Sequence, residues 1–278
     1  MIDVAAFRRD GYVVIPGLLS AAETAQLKGA CDSLLEFLVN SSLANERTSH
    51  RLDVRTLPTG AQVVRKIQPF IDLSERFREL AGDSRILNLV STLLTEPPEL
   101  IEDKITYKQH LSSPIRGIDA RQAEDRFMIH CDWAYHQEQG YPPSIVNAAV
   151  TIDNAPSSSG PLKVWPGTHR EPYLHEKTGT SYVVGESQLK HIEPREILTE
   201  AGALILFHGC LLHSSEPNTT GLPRRMAIFS YLPCSQSIGP DVRNGPTRAE
   251  ERPFEEKYRA LREAGIYKDQ FRVLEYEA

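Results

Sequence analysis

Histidine stands two residues before a carboxylate at several places in the chain, a spacing that can supply two ligands to one metal ion, and three of these pairs are candidate ligands. These pairs are His130 with Asp132, His136 with Glu138, and His191 with Glu193. The first pair lies in the segment RFMIHCDW, where Phe, Ile and Cys alternate with Met, His and Asp at the period of a β-strand. Its two side chains therefore share one face of that strand. The other two pairs lie in polar or turn-forming sequence and are predicted to be solvated loop residues.

A non-haem iron(II) site of the two-histidine, one-carboxylate type needs a further imidazole and leaves other coordination positions open. The run GALILFHGCLLHSS offers two candidates, His208 and His213, at or just beyond the end of an apolar strand. A lone histidine in such a place is more often a hydrogen-bonded structural residue than a ligand. On residue chemistry alone, the choice between the two histidines is nearly even.

Helical patterns precede the β-rich part of the chain. After a short β segment in YVVIPGLL, residues 20–23 have the form of a helix-capping box, and apolar residues then recur at helical spacing through about Val39. A second helix is expected from Ser84 to just before Pro97. The polar residues 40–60 between them predict a long loop that could cover a site.

From about residue 101 the sequence changes to short β-like runs separated by turn residues. Because helical patterns do not alternate with these runs, a double-sheet sandwich or barrel is favoured over a parallel sheet. Near the end, Pro253 and Gly265 bracket a helical pattern. We predict one mainly β domain over residues 1–278, with N-terminal helices at about 18–96 and a C-terminal helix at about 253–264 packed on the β core.

Composition narrows the class of protein. The 278 residues include 31 Lys and Arg against 37 Asp and Glu, a formal net charge of −6. That balance disfavours a binding surface for nucleic acid or for an anionic membrane. The four cysteines form no CxxC pair, and no stretch has the pattern of a secretory signal or a membrane span. We expect a cytoplasmic protein that binds neither membrane nor nucleic acid.

Several ordered segments resemble the phytanoyl-CoA dioxygenase family: GYVVIPGLLS, HCD, GPLKVWPGTHR and HSSEPNTTGLPRRMAIF. The resemblance extends from about residue 7 to residue 231. It implies a double-stranded β-helix, a jelly-roll or cupin-like core. It also implies an oxygenase that uses iron(II) and O2, with 2-oxoglutarate as cosubstrate.

The resemblance also implies which residues bind the metal. His130 and Asp132 match the family's proximal pair of iron ligands, and His213 matches the distal ligand. His208 matches a position at a strand end that does not bind metal. His169 lies in a segment whose role in the family is mainly structural.

The cosubstrate residues follow from the same resemblance. Arg224 matches the basic residue that binds the far carboxylate of 2-oxoglutarate. Ser215 matches a serine that assists it, and Lys104 matches a position that often helps to hold the cosubstrate. The chain departs from the family pattern at Ser214, where glycine is usual, and at Ala203, where aspartate is common. Neither departure changes an expected ligand.

The implied reaction is the oxidation of an aliphatic carbon of a small molecule, most simply its hydroxylation, with release of succinate and CO2. A role in the biosynthesis of specialised metabolites or natural products is expected. Four residues that flank the metal strands are candidates for the substrate pocket: Tyr107, Gln109, Trp133 and Tyr135.

Three other classes of protein compete with this interpretation. A zinc- or manganese-dependent hydrolase or isomerase on a cupin-like barrel uses similar ligands, but it gives Arg224 no role. A non-enzymatic jelly-roll binding protein requires the whole ordered set of motifs to be coincidental. A halogenase of the same superfamily needs a small residue in place of the carboxylate, and Asp132 occupies that position.

Overall fold

The structure, a computed structural model, describes residues 2–273. Within that range the helices are α1 (Val4–Asp10), α2 (Ala21–Ala44), α3 (Glu75–Ala81), α4 (Ser84–Leu94), α5 (Trp133–His136) and α6 (Gly245–Glu263). The strands are β1 (Tyr12–Ile15), β2 (Leu52–Thr56), β3 (Gln62–Ile67), β4 (Pro98–His110), β5 (Arg121–Gln122), β6 (Phe127–His130), β7 (Val146–Thr151), β8 (Leu162–Val164), β9 (Glu176–Thr178), β10 (Ser181–Val183), β11 (Arg195–Ile197), β12 (Leu204–His208), β13 (His213–Ser215) and β14 (Met226–Pro233). Most strands therefore lie between α4 and α6.

Helix α2 begins at the predicted capping box. The Ser20 hydroxyl accepts a hydrogen bond from the Glu23 backbone N–H, and the Glu23 carboxylate accepts one from the Ser20 backbone N–H at 2.8 Å. This reciprocal pair satisfies two backbone donors that the first helical turn leaves free. The helix ends at Ala44 rather than near Val39.

The loop predicted over residues 40–60 is wrong in two places. Its first residues belong to α2, and residues 52–56 form β2, which pairs with β3 in antiparallel register. Because the partner strand satisfies its backbone hydrogen bonds, this polar segment is stable as a strand despite its weak apolar pattern. The segment therefore forms part of the sheet that surrounds the site.

Two sheets form the predicted jelly-roll core. The larger has the strand order β1-β12-β7-β14-β4-β3-β2-β5, and the smaller has the order β11-β8-β13-β6. Strands β9 and β10 form a separate hairpin. Apolar residues of both sheets, among them Val164 and Phe207, belong to one buried cluster. The sheets therefore pack face to face, which confirms the mainly β, double-sheet architecture.

The large sheet presents its two faces to different neighbours. In β14, Met226 and Ile228 belong to the cluster between the sheets, whereas Ala227 and Phe229 belong to the cluster that includes α2 and α4. This alternation is the two-residue period of a strand. Successive residues at the start of β14 therefore point alternately towards the cavity and towards the helices.

Helix α6 begins earlier than predicted. It extends from Gly245 to Glu263, with Pro246 in its first turn and Pro253 inside the helix. The predicted helix start at Pro253 is therefore wrong, and Pro246 occupies the first-turn position that a helix tolerates best. The buried carboxylates of Glu251 and Glu255 on α6 anchor the helix to basic side chains of residues 47 and 51.

No helix among residues 2–273 is both long enough and apolar enough to cross a membrane.

Candidate iron centre

Strand pairing in the small sheet brings the three predicted metal ligands together. His213 on β13 lies directly opposite His130 on β6, and their ring centroids are 4.3 Å apart. Asp132 follows β6, with its two carboxylate oxygens 3.9 Å from His130 Nε2 and 3.8 Å from His213 Nε2. One potential ligand atom of each residue lies within 4.8 Å of the other two. Neighbouring strands thus form a two-histidine, one-carboxylate cluster.

Both imidazoles are oriented for metal binding through Nε2. His130 Nδ1 lies 2.6 Å from the Met128 carbonyl oxygen, and His213 Nδ1 lies 2.9 Å from the Leu211 carbonyl oxygen. An Nδ1–H that donates to each carbonyl leaves Nε2 as the free acceptor, the arrangement common to metal-binding histidines. Burial and the adjacent imidazole of His213 lower the pKa of His130 to about 3, and burial also lowers the pKa of His213. The rings are therefore neutral, as metal binding requires.

The carboxylate of Asp132 is ionised and held in place. Lys104 Nζ donates to Oδ1 and Asn147 Nδ2 donates to Oδ2, each at 2.8 Å. Burial alone would raise the pKa of Asp132, but the Lys104 ammonium and the two imidazoles lower it well below its usual range. Two neutral imidazoles facing an ionised carboxylate form a donor set that fits iron(II).

His208, the other histidine considered from the sequence, lies outside this cluster. It ends β12, and its Nδ1 accepts a hydrogen bond from the Cys210 backbone N–H at 3.1 Å. Its ring lies beside that of His169, with 5.2 Å between the centroids. Both histidines are therefore engaged in local packing away from Asp132.

Arg224 is a buried cation beside the cluster. Its guanidinium donates to the Thr106 hydroxyl at 3.2 Å and the Gly160 carbonyl at 2.6 Å, and it lies 3.5 Å from the Ser215 hydroxyl. Gly160 adopts φ +63°, and a Cβ there would collide with the Glu216 carbonyl. Arg224 is 2% exposed, and among residues 2–273 it forms no ion pair with a carboxylate. Burial lowers its pKa to about 10, so the guanidinium is charged at neutral pH.

Arg225 faces the opposite side of the sheet. Its Nε donates to Asp153 at 2.8 Å, and its Nη1 donates to Asp32 of α2 at 2.5 Å. Adjacent residues of an extended strand face opposite sides of a sheet, so only one of the two arginines can enter the barrel. The structure places Arg224 there and gives Arg225 two carboxylate partners on the helix side.

Lys104 contacts a predicted metal ligand directly. Its ammonium group lies between Asp132 and Glu102, 2.8 Å from an oxygen of each. Glu102 also accepts hydrogen bonds from Gln68 at 2.8 Å and from Arg243 at 3.0 Å. Lys104 therefore bridges Asp132 to a second buried carboxylate in the cavity wall.

The structure contradicts the prediction for His136. It was predicted to be a solvated loop residue, but it is 1% exposed, and its Nε2 lies 3.7 Å from Glu102. Its helix, α5, packs beside the cavity, which the polar sequence HQEQG gave no reason to expect. Glu138, its predicted partner, is exposed and bonds to Lys177 at 2.8 Å instead.

A cavity of about 550 Å³ is lined by the cluster and by Arg224, but by only one of the four predicted pocket residues, Tyr135. Tyr107 is buried on the other face of β4, where its hydroxyl donates to the Cys31 carbonyl at 2.8 Å, and Gln109, two residues on, is also absent from the lining. Trp133 bonds through its indole N–H to the Tyr141 carbonyl at 3.0 Å and packs in the core. Tyr107 and Lys104 are three residues apart, so strand alternation already separates their faces.

Asn147 and Glu102 also belong to the site, although neither was predicted from the sequence. Asn147 is fully buried in β7, and its side chain links Asp132 to the hydroxyl of Ser230, which donates to it at 2.6 Å. A buried amide within the otherwise apolar run SIVNAAVTID was the available signal. Glu102 lies two residues before Lys104 and therefore shares its face of β4.

The fold and the site define a class: a jelly-roll protein with two histidines and one carboxylate facing a cavity that also contains a buried arginine. The sequence model of the phytanoyl-CoA dioxygenase family matches residues 7–226. The chain belongs to this family. It is accordingly an enzyme, an iron(II)- and 2-oxoglutarate-dependent dioxygenase, as the sequence analysis predicted.

Similar proteins agree with this assignment. The ectoine dioxygenase of Sphingopyxis alaskensis is 29% identical over 255 residues, which cover 84% of this chain and 76% of that protein. The structure of EctD from S. alaskensis with 2-oxoglutarate and 5-hydroxyectoine superposes with a TM-score of 0.66, at 24% identity over 85% of this chain and 77% of that one. The structure of the epimerase SnoN in complex with Fe3+, alpha ketoglutarate and nogalamycin RO superposes with a TM-score of 0.63. It is 22% identical over 83% of this chain and 82% of that one. The structural likeness establishes the shared fold.

Proposed function

We propose that His130, Asp132 and His213 bind the iron, and that Arg224 binds the distal carboxylate of 2-oxoglutarate, so that the enzyme hydroxylates an aliphatic carbon of a small molecule in the cavity. The observation that carries this proposal is the position of a buried, unpaired guanidinium in the same cavity as the ligand cluster. A non-redox hydrolase would need the cluster but not the arginine.

The protein side chains prepare the metal site before iron binds. The Met128 and Leu211 carbonyls fix both rings with Nε2 toward Asp132. Lys104 and Asn147 hold the carboxylate in one orientation and keep it ionised. Bound iron(II) supplies the oxidation of an unactivated C–H bond by O2, coupled to the conversion of 2-oxoglutarate into succinate and CO2.

Arg224 supplies charge and geometry for the cosubstrate. A guanidinium offers two parallel N–H donors to a carboxylate, a fit that lysine does not reproduce. The Thr106 hydroxyl and the Gly160 carbonyl hold its position, and Ser215 lies close enough to add a donor. Burial keeps water from competing for the bound carboxylate.

The substrate occupies the remainder of the cavity, whose volume of about 550 Å³ is in the range of small-molecule sites. The β9–β10 hairpin contributes Tyr182 to its lining, and the Tyr135 hydroxyl accepts a hydrogen bond from the Tyr182 backbone N–H at 3.1 Å. Likeness to an ectoine dioxygenase and to an epimerase that binds nogalamycin RO supports a role in specialised-metabolite biosynthesis.

The test measures iron(II) binding by equilibrium dialysis under nitrogen. Asp132→Ala and His213→Ala should lose iron, whereas the matched control His208→Asn should retain it. With a substrate in hand, product formation should stop when iron, 2-oxoglutarate or O2 is omitted. Full turnover under nitrogen without 2-oxoglutarate would identify a non-redox enzyme and overturn the proposal.

A further inference from the structure

Four basic side chains gather at one end of the cavity lining, on strands β2, β3 and β5. We call Arg55, Arg65, Lys66 and Arg121 the basic corner. Asp53 is the carboxylate of the lining that bonds to Arg55 and Arg65. The family assignment gives these residues no role, because the metal cluster and Arg224 are formed by other parts of the two sheets.

The charges of the basic corner are not balanced. Asp53 Oδ1 accepts from Arg55 Nε at 2.5 Å, and its Oδ2 accepts from Arg65 Nη1 at 2.8 Å. Lys66 Nζ donates to the neutral amide of Gln68 at 2.8 Å. Within the described part of the chain, neither Lys66 nor Arg121 forms an ion pair with a carboxylate. Four cations against one anion leave an excess of three positive charges.

The other two carboxylates in the lining, Glu102 and Asp132, have closer cation partners of their own. Glu102 is already engaged by the Lys104 ammonium at 2.8 Å and by the Arg243 guanidinium at 3.0 Å. Lys104 also neutralises Asp132. The lining of the whole cavity contains eight Arg and Lys side chains and three Asp and Glu side chains, and one of the eight, Arg51, pairs with Asp72 and Glu255 outside the lining.

Strand register places like charges against each other. Arg55 on β2 is the direct partner of Arg121 on the parallel strand β5, so two cations lie side by side at this sheet edge, where Arg121 is exposed. Burial, together with the Arg65 and Lys104 cations, lowers the pKa of Lys66 to about 8. Burial and Arg55 likewise lower the pKa of Arg65. Local arrangements that lower stability, such as these clustered cations, are expected at functional sites.

We propose that the basic corner binds an oxyanion of the substrate, a carboxylate or a phosphonate or phosphate group. This inference rests on the proposed function, since it names the substrate class for the same cavity. Bound there, the anion supplies the negative charge that the four cations lack, and guanidinium and ammonium groups are the donors that such oxyanions prefer.

The position of the basic corner separates this anion from the cosubstrate. In the large sheet β4 lies between β14, which Arg224 precedes, and β3, which carries Lys66. Neighbouring strands are about 4.8 Å apart, so β3, β2 and β5 lie about 5 to 15 Å from β4. Lys104 of β4 contacts Asp132, so β4 lies beside the proposed iron site. We therefore expect the anionic group of the substrate to lie about 5 to 15 Å from the oxidised carbon.

The test uses the enzyme saturated with iron(II) and 2-oxoglutarate under nitrogen, so that Arg224 is occupied. Hexylphosphonate, hexanoate and hexan-1-ol share one chain length and are titrated by calorimetry. We expect at least one anionic probe to bind about tenfold or more tightly than the alcohol, equivalent to about 1.4 kcal/mol. The two anions distinguish a phosphonate-type from a carboxylate substrate. Equal binding of all three probes would overturn the inference.

Substitutions in the basic corner test where the anionic probe binds. Lys66→Gln and Arg121→Gln should each weaken the anionic probe severalfold and leave hexan-1-ol unchanged. The matched control is Arg126→Gln, because Arg126 pairs with Glu216 at 3.1 Å and is absent from the cavity lining. Unchanged anion binding in both test variants would place the anion elsewhere and refute the assignment.

Thermal unfolding separates binding from a structural role. Since Lys66 and Arg121 face other cations, their neutral variants should unfold at the same temperature as the wild type or higher. A lower temperature together with unaltered probe binding would mean that these cations serve the fold. Failure of 2-oxoglutarate itself to bind would instead contradict the proposed function, and its binding is measured separately before the probes are added.

Discussion

Arg224 and Arg225 are adjacent, yet their replacement should have opposite consequences. Arg224→Gln should weaken 2-oxoglutarate binding and leave iron binding nearly unchanged. Arg225→Gln should leave both affinities near the wild-type values and destabilise the fold. The reason is that Arg224 faces the cavity without a carboxylate partner, whereas Arg225 bonds to Asp153 and Asp32 on the helix side.

The structure sets the size of each effect. Truncating one partner of a buried, hydrogen-bonded charge pair costs about 2–5 kcal/mol. At 1.4 kcal/mol per tenfold, Arg224→Gln should raise the Kd for 2-oxoglutarate by roughly 30-fold to several-thousand-fold. Asp153 has an 11% exposed side chain and loses its main partner in Arg225→Gln. Because Lys28 Nζ stays 3.4 Å from Asp153, the free energy of unfolding should fall by less than the roughly 3–5 kcal/mol that a fully unpaired buried charge costs.

The assay is calorimetric titration of 2-oxoglutarate into iron-loaded protein under nitrogen, with thermal unfolding of the same samples. Equal loss of affinity in both variants would show that the effect is one of general stability. The reverse order, with Arg225 essential for binding, would show that the strand register entering β14 is displaced by one residue.

Three further predictions concern the surroundings of the metal cluster. Asn147→Ala removes the donor to Asp132 and should weaken iron binding about 10- to 100-fold in equilibrium dialysis, and unaltered affinity would contradict a positioning role. Lys104→Met leaves the buried Asp132 carboxylate without its cation and Glu102 with Arg243 alone, so the iron-free protein should unfold at a lower temperature, and iron should raise that temperature more than in the wild type. Burial and the His169 imidazole lower the pKa of His208 from its ordinary value of 6.5 to about 4. As the pH falls, His208 is therefore protonated in the unfolded chain before it is protonated in the folded protein. The free energy of unfolding should decrease as pH falls from 6.5 towards 4. His208→Asn should flatten that decline in unfolding experiments, and an unchanged slope would assign the acid sensitivity to other groups.

Local patterns in the sequence determined much of this protein. Strand alternation placed His130 and Asp132 on one face, and it separated Arg224 from Arg225. The capping box marked the start of α2. Family motifs predicted the jelly-roll fold and the enzyme class. All of these depend on residues within a few positions of one another or on an ordered set of motifs, so one chain suffices to recognise them.

Contacts between distant segments decided the rest. The pairing of β13 with β6, which lie far apart in sequence, brings His213 rather than His208 beside His130. Burial of His136 depends on the packing of α5 beside β4, and the polar sequence around it carries no sign of that neighbour. The basic corner exists only because residues near 55, 65 and 121 become adjacent in one sheet. Register and burial arise from such non-local pairing, which is why the tertiary structure alone could place these side chains in the cavity.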